Sequence, residues 1–347
     1  MKRSFFNIKR NTTGVISLIY IALVGLAAIF AYAIAPDNST NANQMHLSIH
    51  SKSPGFTVDM LIIPNLEDNQ SLFNKFLYGN NSPDIEIPII SWKINNTILY
   101  YQEFDQNDFT EIPISSIGKF QIQNRKFHLG TDKFGRDVLS RIIIGSRISF
   151  SIGFIAVFIS LIIGLLLGSI SGYYSGLIDD IIMWVINVTW SIPTLLLVIA
   201  ITLVLGKGFW QVFIAVGLTM WVEVARIVRG QVKSLKQREF ITAAHVLGFS
   251  DFRIITRHIL PNIISPLIII SAANFAASIL IESGLSFLGL GAQPPMSSWG
   301  SMIKDHYNYI ILGEPFLAII PGICIMLLVM AFMLLGNSLR DFLDVKD

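Results

Sequence analysis

One cysteine in 347 residues, Cys324, excludes a disulfide framework and a thiolate metal centre. Charge is also scarce. Asp, Glu, Lys and Arg make up 14% of the chain, against about 25% in a soluble domain. A net charge of +2 is too small to attract nucleic acid, and the six histidines show no metal-ligand spacing. No G-x-x-x-x-G-K-S/T run occurs, so the chain lacks that phosphate loop for ATP. No set of nucleophile, base and orienting group stands out, so no catalytic residue is assigned. What the chain does have is apolar sequence: 52% of its residues are hydrophobic, gathered in long runs. It reads as a polytopic membrane protein.

Hydropathy marks six runs near the roughly 20 residues that cross a bilayer: about Gly14–Ala35, Ile148–Ile170, Ile182–Leu205, Phe209–Val228, Asn262–Gly284 and Pro315–Gly336. The third contains Pro193, and Pro321-Gly322 predicts a kink in the sixth. Ala31-Tyr32-Ala33 resembles a signal cleavage site, but the first apolar run is long for a signal sequence and is expected to remain as a span. Between Arg226 and Arg257 lie seven basic residues (Arg226, Arg229, Lys233, Lys236, Arg238, Arg253 and Arg257), opposed only by Glu239 and Asp251. Lys2, Arg3, Lys9 and Arg10 flank the first span. The positive-inside rule places both regions in the cytoplasm. Six spans then put both termini inside and the long 37–126 segment outside.

The chain divides into 1–36, the N-terminus and first span; 37–126, an extracytoplasmic insert; and 127–347, a core of five spans. The insert carries ten acids and six lysines or arginines and is rich in asparagine. Alternation in Asp84-Ile85-Glu86-Ile87 and in Lys119–Gln123 predicts half-buried strands. Ile85–Ile94 and Thr97–Phe104 are expected to pair through an Asn95-Asn96 turn that tolerates positive φ. The fold class is therefore an all-α polytopic membrane protein with a small β-rich insert.

Residues 239–262 stand out between two apolar runs. The pattern predicts two short helices broken at Gly248, which suits a helix C-cap. Ser250 is expected to cap the second helix, with Asp251 in its first turn. Ala243, Ala244, Leu247 and Gly248 are expected to share one small-residue face, and Leu260-Pro261 to open the fifth span. On pattern alone the segment reads either as a docking element or as an amphipathic helix lying on lipid.

Here the chain resembles the EAA loop of ABC importer permeases: Glu-Ala-Ala, three residues, Gly, then about eleven residues to Leu-Pro. Thr242 stands in place of the glutamate, while Ala243, Ala244, Gly248, Leu260 and Pro261 fall in register. Two longer strings narrow the resemblance to the dipeptide, oligopeptide and nickel branch, C-type subunit. They are His128-Leu129-Gly130-Thr131-Asp132-Lys133-Phe134-Gly135-Arg136-Asp137 running to Arg141, and Leu285–Gly291 followed by Gln293-Pro294-Pro295 and Ser298-Trp299-Gly300. The resemblance covers about 127–345 and the first span, not the insert. It implies a bacterial inner-membrane permease with a type I importer fold, whose 239–261 loop couples to an ATPase. It also implies a homologous second permease, two ATP-binding subunits that hold ATP and Mg, and an extracytoplasmic peptide-binding protein. The chain itself then needs no cofactor, and neither the composition nor the family calls for nucleic acid. Nickel or another small solute is the alternative cargo, and an ion-gradient transporter the alternative class.

Other residues carry narrower expectations. Glu282, at the outer end of the fifth span, is a candidate pathway residue, or else hydrated at the interface. Glu223 is expected to pair with Arg226. Asp179 and Asp180 are placed among lipid headgroups, and His245 and His258 on the surface. In the outer motif of Gly130, Thr131, Asp132, Gly135, Arg136 and Asp137, the expected ion pair is Asp137 with Arg141, bracing the outer mouth or receiving a binding protein.

Overall fold

The computed structural model describes residues 12–65, 70–206 and 208–344. The basic residues Lys2, Arg3, Lys9 and Arg10 lie outside the described residues. The helices include α1 (Thr12–Ile29), α2 (Leu72–Tyr78), α3 (Val138–Tyr174), α4 (Gly176–Ser191), α5 (Thr194–Leu205), α6 (Phe209–Lys236), α7 (Glu239–Val246), α8 (Asp251–Ile254), α9 (Ile264–Phe287), α10 (Trp299–His306) and α11 (Phe316–Asp344), with single helical turns at Ala31–Ile34 and Ile114–Ile117. Contacts divide the chain into two units. One holds residues up to Val24, Ser149–Gln293 and everything from Cys324; the other holds Gly25–Ile148 and Pro294–Ile323.

Among the described residues five helical stretches are long and apolar enough to cross a membrane, and a bent pair makes a sixth. The bent pair corrects the third expected span. Instead of one helix over 182–205, α4 and α5 meet at 92°. Proline has no N–H to donate and forces the preceding residue out of the helical region. Ile192 is accordingly extended (φ −91°, ψ 128°) and Pro193 stands at the head of α5. Leu260-Pro261 behaves in the opposite way: it neither breaks nor starts a helix. The chain is helical from Asp251 to Phe287, with a π turn over Ile255–Ile259 and a 3₁₀ turn over Leu260–Ile263. Those two changes of pitch accommodate the missing proline donor without ending the helix. Pro321 likewise lies inside the unbroken α11.

The first unit is organised around α6. Gly164, Gly168 and Gly172 repeat every four residues, so they form one column along α3. Opposite them stand Val224, Ala225, Val228 and Val232 of α6. A Cβ on Gly168 would lie 2.6 Å from the Ala225 carbonyl oxygen and 2.8 Å from Val228 Cβ. One on Gly172 would lie 2.7 Å from the Arg229 carbonyl oxygen. Without side chains the two backbones approach closely, as helices in lipid must when no hydrophobic force drives them together. Ile186 of α4 joins Trp221, Val222 and Ala225 in a second cluster. Val198 of α5 packs with Val212, Val216 and Met220 in a third. Phe275 of α9 stacks on Phe332 of α11, with centroids 4.0 Å apart.

The second unit contains an antiparallel sheet of order β4-β3-β2-β1-β5, formed by β1 (Phe56–Ile63), β2 (Ile85–Asn95), β3 (Ile98–Glu103), β4 (Phe109–Pro113) and β5 (Gln121–Phe127). β2 and β3 pair through a two-residue turn in which Asn96 has φ 54°. Met60, Leu61, Ile89, Leu99 and Phe127 are buried in its two clusters. The alternation expected at 84–87 runs with the opposite polarity at its start. Ile85 is exposed, and Glu86 is buried between Arg125 and His46. Burial works against the Glu86 charge, but the hydrogen bond from His46 and the Arg125 charge outweigh it and hold the carboxyl below its ordinary range.

The glycine column makes a prediction. Gly168→Val should destabilise the protein by about 1–3 kcal/mol through overpacking, read as a fall of several degrees in the melting temperature in detergent. Gly230→Val, on the same bundle but with nothing within 4 Å of the added carbon, should melt close to wild type. Equal melting of the two variants would refute the close-contact reading.

Candidate functional site

The segment that follows α6 is an elbow of two short helices. α7 ends in a Schellman motif: the Phe249 N–H donates to the Ala244 carbonyl at 3.1 Å and the Gly248 N–H to His245 at 2.9 Å. Gly248 adopts φ +76°, which a residue with a Cβ enters only with strain. Ser250 stands at the start of α8 in an extended conformation, but its side chain makes no capping bond. It is exposed, where solvent competes for its hydroxyl.

The elbow has two dissimilar sides. Ile241, Ala244, Ile254, Ile259 and Ile263 are buried in one cluster with Tyr173 of α3 and Val224, Val228 and Val232 of α6. Leu260 packs at its edge, and Pro261 is exposed. On the other side Thr242, Ala243, Val246 and Leu247 line a shallow concavity of about 490 Å³ with Gln237 and Glu239. Val246 is 84% exposed and Leu247 70%. The expected common face of Ala243, Ala244, Leu247 and Gly248 is therefore split. Adjacent residues point about 100° apart on a helix, so Ala244 enters the core while Ala243 stays on the outer side.

Polar contacts fix the elbow to its base. The Tyr173 hydroxyl donates to Asp251 at 2.7 Å and meets His245 Nε2 at 3.1 Å. Lys236 Nζ donates to the Tyr173 carbonyl at 2.5 Å. His245 is exposed, as expected, and also meets Tyr173, while His258 is half-buried and stacks on Phe249 with centroids 5.7 Å apart. One turn deeper, Arg229 of α6 grips Asp179 of α4 with two bonds of 2.6 and 2.7 Å, and Ser171 of α3 donates to the same carboxylate. Asp179 is buried among these partners, while Asp180 beside it is exposed. The arginine fork satisfies both carboxylate oxygens and permits that burial. Nothing in the sequence marks Tyr173. The column Gly164-x-x-x-Gly168-x-x-x-Gly172 was available as a signal and points to the helix contact beneath the elbow.

The outer motif forms a separate site in the second unit. Thr131 and Asp137 bridge across a tight turn. Asp132, fully buried, accepts from the N–H groups of Phe134 at 2.8 Å and Arg136 at 3.0 Å, and from the Arg136 guanidinium at 2.7 Å. At Gly135 (φ +74°) an added Cβ would collide with the His46 carbonyl. At Gly130 it would collide with that of Lys52. Arg141 approaches Asp132 at 3.7 Å, so the expected Asp137–Arg141 pair does not form. Asp137 instead caps α3, accepting from the Ser140 N–H at 2.9 Å, and a capping carboxylate turned toward that backbone is not available to a side chain one turn on. The second string docks here. Trp299 Nε1 donates to the Ile142 carbonyl at 2.9 Å and the Ser297 hydroxyl to that of Arg141 at 3.2 Å.

Two glutamates lie in the spans. Glu282 is fully buried and accepts from Ser286 at 2.7 Å. Glu223 forms no ion pair with Arg226 among the described residues. Arg226 lies over the Trp190 ring instead, 3.6 Å from its centroid, and that cation–π contact takes the guanidinium to α4.

The profile of the family described as binding-protein-dependent transport system inner membrane component matches residues 164–346. The oligopeptide transport system permease protein OppC of Salmonella typhimurium is 46% identical over 220 residues, 63% of this chain and 72% of that one. The dipeptide transport system permease protein DppC of Alkalihalophilus pseudofirmus is 43% identical over 217 residues, 62% and 71% of the two chains. The glutathione transport system permease protein GsiD of Pectobacterium atrosepticum is 42% identical over 218 residues, 63% and 72%. A solved inward-facing structure of the MetNI methionine ABC transporter aligns at 17% identity with a TM-score of 0.47, over 59% of this chain and 96% of that one.

His306 gives the outer site a pH dependence. It is buried in α10, with Nδ1 donating to the Met302 carbonyl at 2.8 Å. Burial pushes its pKa below the ordinary 6.5. The unfolded chain therefore takes up the proton first, and the stability contributed by neutral His306 is present above pH 6.5 and lost as pH falls below it. Hydrogen exchange of 299–306, corrected for intrinsic rates, should speed up between pH 7.5 and 5.5 in wild type and change less in His306→Gln. An equal change in both proteins would rule out this titration.

Proposed function

We propose that this chain, which belongs to the family of binding-protein-dependent transport system inner membrane components and is a permease subunit of an ABC importer, passes di- or oligopeptides across the membrane by alternating access. Three relatives that it resembles are named for oligopeptide, dipeptide and glutathione transport, and all three cargoes are short peptides. The observation that carries the reading is the elbow at 239–263: an exposed aliphatic face mounted on a buried, polar-locked base. A segment meant only to connect two spans has no use for Val246 and Leu247 in the open, whereas a docking face does.

The basic residues of 226–257 set this face in the cytoplasm. Both termini then lie inside and the 37–126 insert outside. Two ATPase chains dock, one on this elbow and one on the corresponding loop of a second permease, and they hold the ATP and Mg that this chain has no loop to bind. ATP-driven closure of those chains moves the two elbows together. Because each elbow is tied to α3 and α6, the motion passes to the spans and shifts the balance between inward- and outward-open states. A binding protein delivers the peptide from outside. Glu282 belongs, in this scheme, to the packed interior of the outer end.

Reconstitution tests the reading. Proteoliposomes holding both permeases and both ATPases should take up a labelled tripeptide only with ATP and loaded binding protein. Uptake that follows a proton or sodium gradient after the ATPases are left out would refute it. The two sides of the elbow should also separate by mutation. Leu247→Asp should lower ATPase co-purification about tenfold or more, as loss of an interface anchor does, with the melting temperature unchanged. Ala244→Asp should lower the melting temperature itself. A Leu247→Asp protein that retains its ATPase in full would show that the docking face lies elsewhere.

A further inference from the structure

We propose that a cleft at the bend between α4 and α5 receives the cationic groups of a passing substrate, with Glu223 as the anion that meets them. This rests on the peptide reading above and adds a contact site to it. The cleft has a volume of about 140 Å³ and is lined by Thr189, Trp190, Thr194, Thr219, Glu223 and Ile281 among others. Glu223 is the one ionisable side chain in that lining among the described residues.

Its position calls for an explanation. Glu223 lies about 20 Å along α6 from Phe209, within a helix apolar enough to span, yet it is exposed. A carboxylate at that depth is stable only beside water or a positive charge. The nearest candidate on its own helix, Arg226, is committed to the face of Trp190 at 3.6 Å. Two hydroxyls of the lining are arranged as acceptors. The Thr189 hydroxyl donates to the Val185 carbonyl and the Thr219 hydroxyl to that of Val216, each at 2.8 Å. Their protons are spent within the helices, and their lone pairs remain for the cleft. The α4 carbonyl end and the α5 N-terminus meet at this bend with opposite partial charges, so the full charge of Glu223 decides the sign of the site. A site whose one full charge is a carboxylate, with hydroxyl acceptors beside it, favours a positively charged donor. An ammonium, at a peptide's N-terminus or on a lysine side chain, is that group.

The test uses the complete importer with the binding protein saturated by one of two tripeptides of equal length, one bearing lysine and one bearing glutamate, in single-turnover uptake. Glu223→Gln should slow the lysine peptide about tenfold and the glutamate peptide less than about twofold, the size expected for loss of one charge-assisted hydrogen bond. Glu223→Lys should widen the gap. An equal effect on both peptides, or none on either, would overturn the proposal. So would loss of the second permease from purified Glu223→Gln complexes, since Glu223 would then pair with a cation of that subunit. A wild-type importer that moves neither peptide would defeat the peptide reading itself, a result distinct from all of these.

Discussion

The contact between α3 and α6 sets the position of everything the elbow depends on. Three glycines on α3 let the α6 backbone come so close that a single methyl group would meet a carbonyl oxygen at 2.6 Å. Two helices in lipid gain little from hiding apolar surface, because the lipid is as apolar as they are; close van der Waals contact and polar bonds must hold them. The glycine column provides the first. Lys236–Tyr173 provides the second between the same two helices, and Asp179 of α4 adds to it by bonding both Arg229 of α6 and Ser171 of α3. The column and the polar bonds therefore reinforce each other at the α3–α6 contact.

A buried ion pair is weak evidence for net stability, since desolvation offsets much of the attraction. Its value here lies in geometry. Arg229 faces Asp179 as a two-pronged fork, and Ser171 of α3 shares the carboxylate. Three helices thus converge on one carboxyl group and are fixed in rotation relative to each other. The elbow inherits that fix through Val228 and Val232, which pack on Ile241 and Ala244, and through Tyr173, which bonds to both Asp251 and His245. A push on the outer side of α7 cannot be absorbed by rolling of α7 alone, because its inner side is held by both apolar packing and hydrogen bonds.

Local features of this fold were legible from the residues, and features that depend on a neighbour were not. Gly248 announced a helix end because a positive φ is a property of one residue. The β2–β3 hairpin was readable at Asn95-Asn96 for the same reason, although the turn itself falls one residue later, at Asn96-Thr97, because Asn95 still pairs with Ile98. The strings around Asp132 and Trp299 were recognisable, but their contact was not, since Trp299 meets Ile142 across more than 150 positions. Ala243 and Ala244 looked equivalent in sequence, and only the place of α6 decides which of them is buried. On spacing alone Asp137 was the partner of Arg141, whereas Asp132, nine residues away, is the carboxylate Arg141 approaches. The i, i+4 rule chose wrongly because Asp137 had a nearer donor in the Ser140 backbone. The two prolines show the same limit: Pro193 breaks a span and Pro261 does not, although each follows an isoleucine or leucine in an apolar run.

The departure at Thr242 can now be placed. Thr242 lies on the exposed side of α7, in the lining of the concavity, and the buried side at this level belongs to Ile241. A glutamate there would change the chemistry of the proposed docking face and leave the core untouched, so its replacement by threonine costs the fold nothing. Glu239 lines the same concavity three residues earlier, and residues three apart on a helix are neighbours. An acidic side chain is therefore still offered at the rim, displaced by one turn toward α6. The face keeps its pairing of an acid with exposed aliphatic groups, while the glycine break and the buried alanine keep the angle at which that face is held.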